Sequence, residues 1–210
     1  MQLQENKAHN LALAAPLVNG ILIQPGETFS LWRLVGNTSA KRGYKEGLTI
    51  KQHAPSHDVG GGMCQLSNLI HWMVLHSPLD IIERHHHNDL DLFPDFGRQV
   101  PFGCGTSILY NYLDYRVQNN SEQTFQLLVS TNDTHLCGEL RAQTVLDLSV
   151  HIVEEDAHFV CVDGQYYRRN RVVRRVNDKR TGNLLDAAII DQANARVMYD
   201  PSFIAVSQVV

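Results

Sequence analysis

Gly60-Gly61-Gly62-Met63-Cys64-Gln65-Leu66-Ser67-Asn68 sets a cysteine just behind three consecutive glycines. The glycines read as a flexible turn. The apolar recurrence after them reads as an amphipathic helix over about residues 63–76, ended by Ser77-Pro78. At about 100° per residue, Leu66, Leu69, Ile70 and Met73 form the apolar stripe, and Cys64, Asn68 and His71 fall on the opposite side. A helix start is electropositive and carries unpaired backbone N–H groups, so a thiol there can be drawn below its ordinary pKa of roughly 8.5. These nine residues therefore place a candidate nucleophile at the mouth of a helix.

Downstream, Asp80–His87 reads as a strand, and a period of two puts Glu83, His85 and His87 on one face with His86 pointing away. Residues 88–105 read as loop. Ser107–Gln118 reads as a long strand, Asn119-Asn120-Ser121 as its turn, and Thr124–Thr131 with His135–Ala142 as an antiparallel meander. Further short strands are expected at 150–153, 159–162, 165–168 and 172–176, with Asp163-Gly164 a strong hairpin signal. Asn183–Tyr199 suits helix or strand equally. Upstream, residues 3–19 read as a helix stopped by Gly20, Ile21–Gln24 as a strand, Phe29–Leu34 as extended chain and 37–55 as loop. The fold class is α+β: an N-terminal helix and a central cysteine-bearing helix packed on a mainly antiparallel sheet, with a β-rich C-terminal extension. The expected division is 1–145 and 146–210, the second packed on the same domain.

The chain has 210 residues, 43% hydrophobic and 19% charged, which supports a packed core. A net charge of −4 gives no general attraction to nucleic acid. No run approaches the roughly 18 apolar residues of a membrane helix, and the N-terminus shows no apolar signal core, which reads as cytoplasmic. Cys64, Cys104, Cys137 and Cys161 are too few and too scattered for a disulfide framework, so reduced thiols are expected. Nothing in the residues fixes an oligomeric state.

The segments PGETFSLWRLVG, RGYKEGL, GGGMCQLSN, ERHHH and LDYRVQNN followed by TFQLLV stand in this order across about residues 20–130. In these the chain resembles the VanW-like family, found in glycopeptide-resistance gene clusters and in cell-envelope proteins of Gram-positive bacteria. The opening QENKAHNLALAAPLVNGILI extends the resemblance to about residues 1–140. What it implies is a context, the cell envelope and glycopeptide resistance, rather than a reaction. The chain also departs from the family. Where the family carries Gly-x-Asp-Ala, this sequence has Gly103-Cys104-Gly105-Thr106, so a glycine replaces the aspartate.

Three readings of the site stay open. In the first, Cys64 is a nucleophile with His85 or His87 as its base, and Gly60, Gly61, Gly62 and Gln65 form a substrate and oxyanion loop. Glu83 or Asp114 (or Asp89 or Asp91) would orient the imidazole. By analogy with papain-like and transglutaminase-like enzymes, the chain would be a hydrolase or acyl transferase acting on an amide or peptide bond of peptidoglycan or its precursors. In the second, Cys64, His85 and His87 hold a metal, with zinc as the natural ion. In the third, the glycines serve tight packing, Cys64 is a filler, and the chain is a binding or scaffold module in cell-wall assembly. The partner in each case is a cell-wall precursor or peptidoglycan fragment, which suggests envelope association. The basic run Arg168, Arg169, Arg171, Arg174, Arg175, Lys179 and Arg180 reads as an exposed hairpin edge. Cys104 reads as a tolerated exposed thiol, and Trp32 and Trp72 as core aromatics.

Overall fold

Helix α1 (Gln2–Val18) buries Leu11, Ala14, Ala15 and Val18, the i, i+3, i+4, i+7 pattern of one face. The structure, a computed structural model, describes residues 2–51, 54–86, 89–95, 97 and 99–205. Strands β1 (Ile21–Ile23) and β2 (Thr28–Ser30) follow, then α2 (Leu31–Val35), β3 (Glu46–Lys51), β4 (Ala54–Val59) and the cysteine-bearing α3 (Met63–Leu75). Next come β5 (Asp80–Glu83), β6 (Leu90–Asp91), β7 (Arg116–Gln118), β8 (Phe125–Thr131) and β9 (Leu136–Ala142). Three long strands close the chain: β10 (Leu148–Val162), β11 (Gln165–Asp178) and β12 (Leu184–Val197). The architecture is α+β, and its sheets are antiparallel apart from the β6–β12 pair.

The chain forms two compact units, residues 1–85 with 106–145 and residues 86–105 with 146–210. In the first unit, β1-β8-β9 and β2-β7-β5 form two three-stranded sheets, and β3-β4 is a separate hairpin. Helix α1 lies against β8 and β3, and α3 lies against β9. Phe125, Leu127 and Val129 line the buried face of β8. Burying each such side chain stabilises the fold by about 1.5–3 kcal/mol relative to leaving it in water. In the second unit the order is β10-β11-β12-β6.

Several local expectations change. Phe29–Leu34 is not continuous extended chain. Ser30 caps α2 by accepting the Arg33 N–H at 3.2 Å, and the Asp114 carboxylate takes the Trp32 N–H at 3.0 Å. The expected loop at 37–55 contains β3 and opens β4, because the buried Asn10 side chain holds Lys45 through both its amide groups, at 2.8 Å each. The strand from Asp80 ends at Glu83, two residues before the first unit's segment ends at His85. The expected strand 107–118 is reduced to its last three residues. Leu109 and Leu113 exchange backbone hydrogen bonds around a tight turn in which Asn111 takes φ +67°. The ambiguous tail is strand.

Helix α3 also differs from its helical-wheel reading. His71 is fully buried, its Nδ1 3.1 Å from the Tyr115 hydroxyl, while Leu69 and Met73 pack over Gly138 of β9. The helix is covered on two sides, so a single apolar stripe misassigns His71. Cys104 is buried rather than exposed. Five of the seven residues of the basic run, Arg168 to Arg175, lie on β11, a central strand and not an edge. Three of these charges are met by acids within the unit. Arg168 is buried 3.1 Å from Asp95, 3.6 Å from Glu154 and 3.7 Å from Asp91, with its guanidinium over the Phe102 ring. Arg171 and Arg175 pair with Asp156 and Glu155 of β10.

Candidate functional site

The three glycines are a packing junction first. Gly61 meets Gly47 of β3 backbone to backbone, so that a Cβ on Gly47 would lie 2.7 Å from the Gly61 carbonyl oxygen. Gly62 is the N-cap of α3 at φ +108°, a conformation that suits glycine, and the Lys7 side-chain stem occupies the space a Cβ would need. The N–H groups of Gly60 and Gly61 donate to Lys45 O and Asp58 O at 3.0 and 3.1 Å. Gln65 is exposed, and its N–H donates to Gly62 O at 2.9 Å as the helix begins.

Cys64 is the second residue of α3 and belongs to an exposed position. Its sulfur is nevertheless crowded by protein atoms. That desolvation pushes the thiol up, against the backbone N–H groups of Ile108 and of Cys64 itself, which pull it down. The resting thiol is therefore held neutral, where the helix start alone suggested a thiolate. The field of the first turn is outweighed by burial of the sulfur.

The segment Thr106–Ile108 organises this corner of the first unit. Thr106 donates its N–H and hydroxyl to Asn68 Oδ1 at 2.7 and 2.8 Å, which fastens the segment to α3. Ser107 N–H donates to His85 O at 2.6 Å. Ser107 thus holds the His85 backbone, and the next residue, Ile108, turns its N–H towards the Cys64 sulfur. The contribution of 106–108 was not readable from sequence, since it is backbone contact across some forty positions.

His85 is oriented by a carboxylate. Its Nε2 lies 3.1 Å from Glu83 Oε1, and Glu83 Oε1 also accepts the Asp114 N–H at 3.0 Å. Glu83 Oε2 stands 3.7 Å from Arg116. The Asp114 N–H, with lesser help from His85 and Arg116, holds the Glu83 carboxyl below its ordinary range. A carboxyl depressed on folding contributes stability above its unfolded pKa of about 4.3, and that contribution is lost as pH falls through the folded value. Thermal melts between pH 6 and 3 should show this loss in the wild type and not in Glu83→Gln.

Asp114 itself does not reach the imidazole. Its carboxylate is engaged by Ser30 Oγ at 2.5 Å and by the Trp32 and Tyr115 N–H groups at 3.0 and 2.8 Å. His86 lies in the second unit, 2.6 Å from Asp191. Asp91 there accepts the Tyr199 hydroxyl at 2.9 Å, and Asp89 O accepts the Arg196 N–H. His87 lies outside the described residues. Among the described residues no three histidine, cysteine or acidic side chains converge as a metal site.

Beside Glu83 a shallow cleft of about 430 Å³ is lined by Ser30, Trp32, Arg33, Glu83, Asn111–Asp114 and Arg116. Trp32 is fixed as one wall: its indole N–H donates to Leu113 O at 2.9 Å and its ring meets Tyr110 edge-on at 5.6 Å. Tyr112 stands at the rim, 79% exposed.

The chain belongs to the VanW-like protein family, whose model matches residues 6–141. It is 35% identical over 196 residues to the vancomycin B-type resistance protein VanW of Enterococcus faecalis, covering 93% of this chain and 71% of that protein. It is 30% identical over 122 residues to the uncharacterized protein YoaR of Bacillus subtilis, covering 57% of this chain and 37% of YoaR. No solved structure matches the chain. The family carries the link to vancomycin resistance through the name of its Enterococcus member. No helix among the described residues is long and apolar enough to cross a membrane.

Proposed function

We propose that this chain is an envelope-linked glycopeptide-resistance protein that acts on an amide or peptide bond of peptidoglycan or its precursors. Cys64 is the nucleophile, His85 its base and Glu83 the positioning residue. The observation that supports the reading is the convergence of the Cys64 sulfur and the His85 backbone on the Thr106–Ile108 segment, with the imidazole held by Glu83. Because the resting thiol is neutral, His85 takes the thiol proton as sulfur attacks the carbonyl carbon. The C–N bond breaks, the proton passes to the leaving amine, and a thioester remains on Cys64. Water then releases the acid, or a second amine takes the acyl group.

The test is to incubate the protein with purified peptidoglycan fragments, quench in acid and weigh the Cys64 peptide. An acyl adduct that appears in the wild type, falls sharply in His85→Ala and is absent in Cys64→Ala supports the reading. Fragment binding without adduct or product at any pH rejects it. That outcome favours the second reading, a non-enzymatic binding or scaffold module, which draws support from the pushed-up thiol and the packing role of the glycines.

A further inference from the structure

We infer that the cleft beside Glu83 binds a ligand through a free carboxylate, with the body of the ligand, a saccharide ring or a short peptide, lying against the Trp32 and Tyr112 rings. The inference rests on the reading above in placing this ligand next to His85, but the binding does not depend on thiol chemistry.

Four charged side chains line the cleft, and they are not equivalent. Both acids are already committed to protein donors: Glu83 to His85 and the Asp114 N–H, and Asp114 to Ser30 and the Trp32 and Tyr115 N–H groups. Their remaining capacity for an outside cation is small. The bases are the reverse. Among the described residues Arg33, which is exposed, makes no ion pair, and Arg116, 44% exposed, has only the 3.7 Å approach to Glu83. What the cleft offers a ligand is therefore guanidinium N–H groups, the fork that matches a carboxylate in two parallel hydrogen bonds.

The rings supply the other half. Trp32 is held rigid from two sides, so stacking on it orders no loose side chain. Tyr112 is an aromatic left in water at the tip of a turn whose shape depends on the left-handed Asn111. An apolar face beside a pair of guanidinium groups selects a compact ligand with a carboxylate at one end.

The two tryptophans of the chain make the test direct, because Trp32 lines the cleft and Trp72, on α3, meets the His76 ring edge-on. The isotope-labelled full chain is titrated with N-acetylmuramic acid and with N-acetylglucosamine, which lacks the carboxylate. Parallel titrations use D-alanyl-D-alanine and its C-terminal amide. The Trp32 indole signal should move with an acid and not with its neutral counterpart, while the Trp72 signal stays still. Whichever acid acts identifies the source as sugar or peptide. Arg33→Gln, a change at the surface, should weaken that binding about tenfold. Equal response to acid and neutral ligand, unchanged affinity in Arg33→Gln, or no movement of Trp32 overturns the inference. Cys64→Ala, titrated alongside, should bind as the wild type does, so a failure of the acyl chemistry and a failure of the cleft are told apart.

Discussion

Replacing Cys64 by alanine is expected to lower turnover of a cell-wall amide substrate by at least about 10³-fold, the scale on which loss of a nucleophile is felt. The same change should move the unfolding midpoint by less than about 4 °C. Cys64 is exposed as a residue although its sulfur is crowded, and removing that single atom costs on the order of 1 kcal/mol. The contrast between the two readouts is what gives the variant its meaning. A filler cysteine would show the opposite pattern, with stability lost and no chemistry to lose. The direction of the thiol shift adds a second arm. With burial pushing the thiol up, alkylation of Cys64 by iodoacetamide should be slow at neutral pH. It should climb only as pH passes the ordinary thiol value of about 8.5, and peptide mass spectrometry separates it from the other cysteines. Turnover at neutral pH that outruns this alkylation is the signature of proton removal by His85 during attack. Full turnover in Cys64→Ala would end the nucleophile assignment.

Gly61→Ala is expected to destabilise the fold by about 3 kcal/mol. For a chain of this size that is a fall of roughly 6–12 °C in the midpoint of the first unit by calorimetry. The new methyl has no side chain to displace. It meets the Gly47 carbonyl, so β3 must move as backbone. The hairpin is anchored there by Asn10, whose side chain bonds Lys45 on both sides and Gly61 O at 2.9 Å, and moving the strand breaks these bonds as well. A loss below about 1 kcal/mol would show that the hairpin shifts freely and that the glycine contact is not structural.

How far the fold could be read in advance follows from the range of the forces involved. Helices α1 and α3 were legible because their buried residues recur at helical spacing and a glycine or Ser-Pro ends each. The β10–β11 hairpin was legible because Asp163-Gly164 is a local turn signal. Strands β3 and β4 were hidden, since what holds them is the buried Asn10 amide and the Gly47–Gly61 contact, neither of which leaves a periodic trace. The basic run on β11 looked like an edge because the acids that meet it sit on β10 and in the 91–95 segment. At the candidate site, the position of Cys64 at a helix start and the nearness of Glu83 to His85 follow from local spacing. The backbone donor of Ile108, the crowding that keeps the thiol neutral, and the engagement of Asp114 with α2 all arise from segments distant in sequence.

The second unit is discontinuous along the chain, and this constrains how the protein can be made and cut. Residues 86–105 are synthesised well before β12, the strand on which β6 pairs, and Phe102 waits for Ala193 and Ala195 to complete its cluster. A ribosome that has released everything to residue 145 has delivered the first unit whole, and β6 without the strand it pairs with. The stretch matched by the family model carries residues 86–105 with it. A truncation at the end of the match would therefore leave Phe102 and Asp91 without the sheet that buries them, and Asp91 and Asp95 without the arginine that neutralises them.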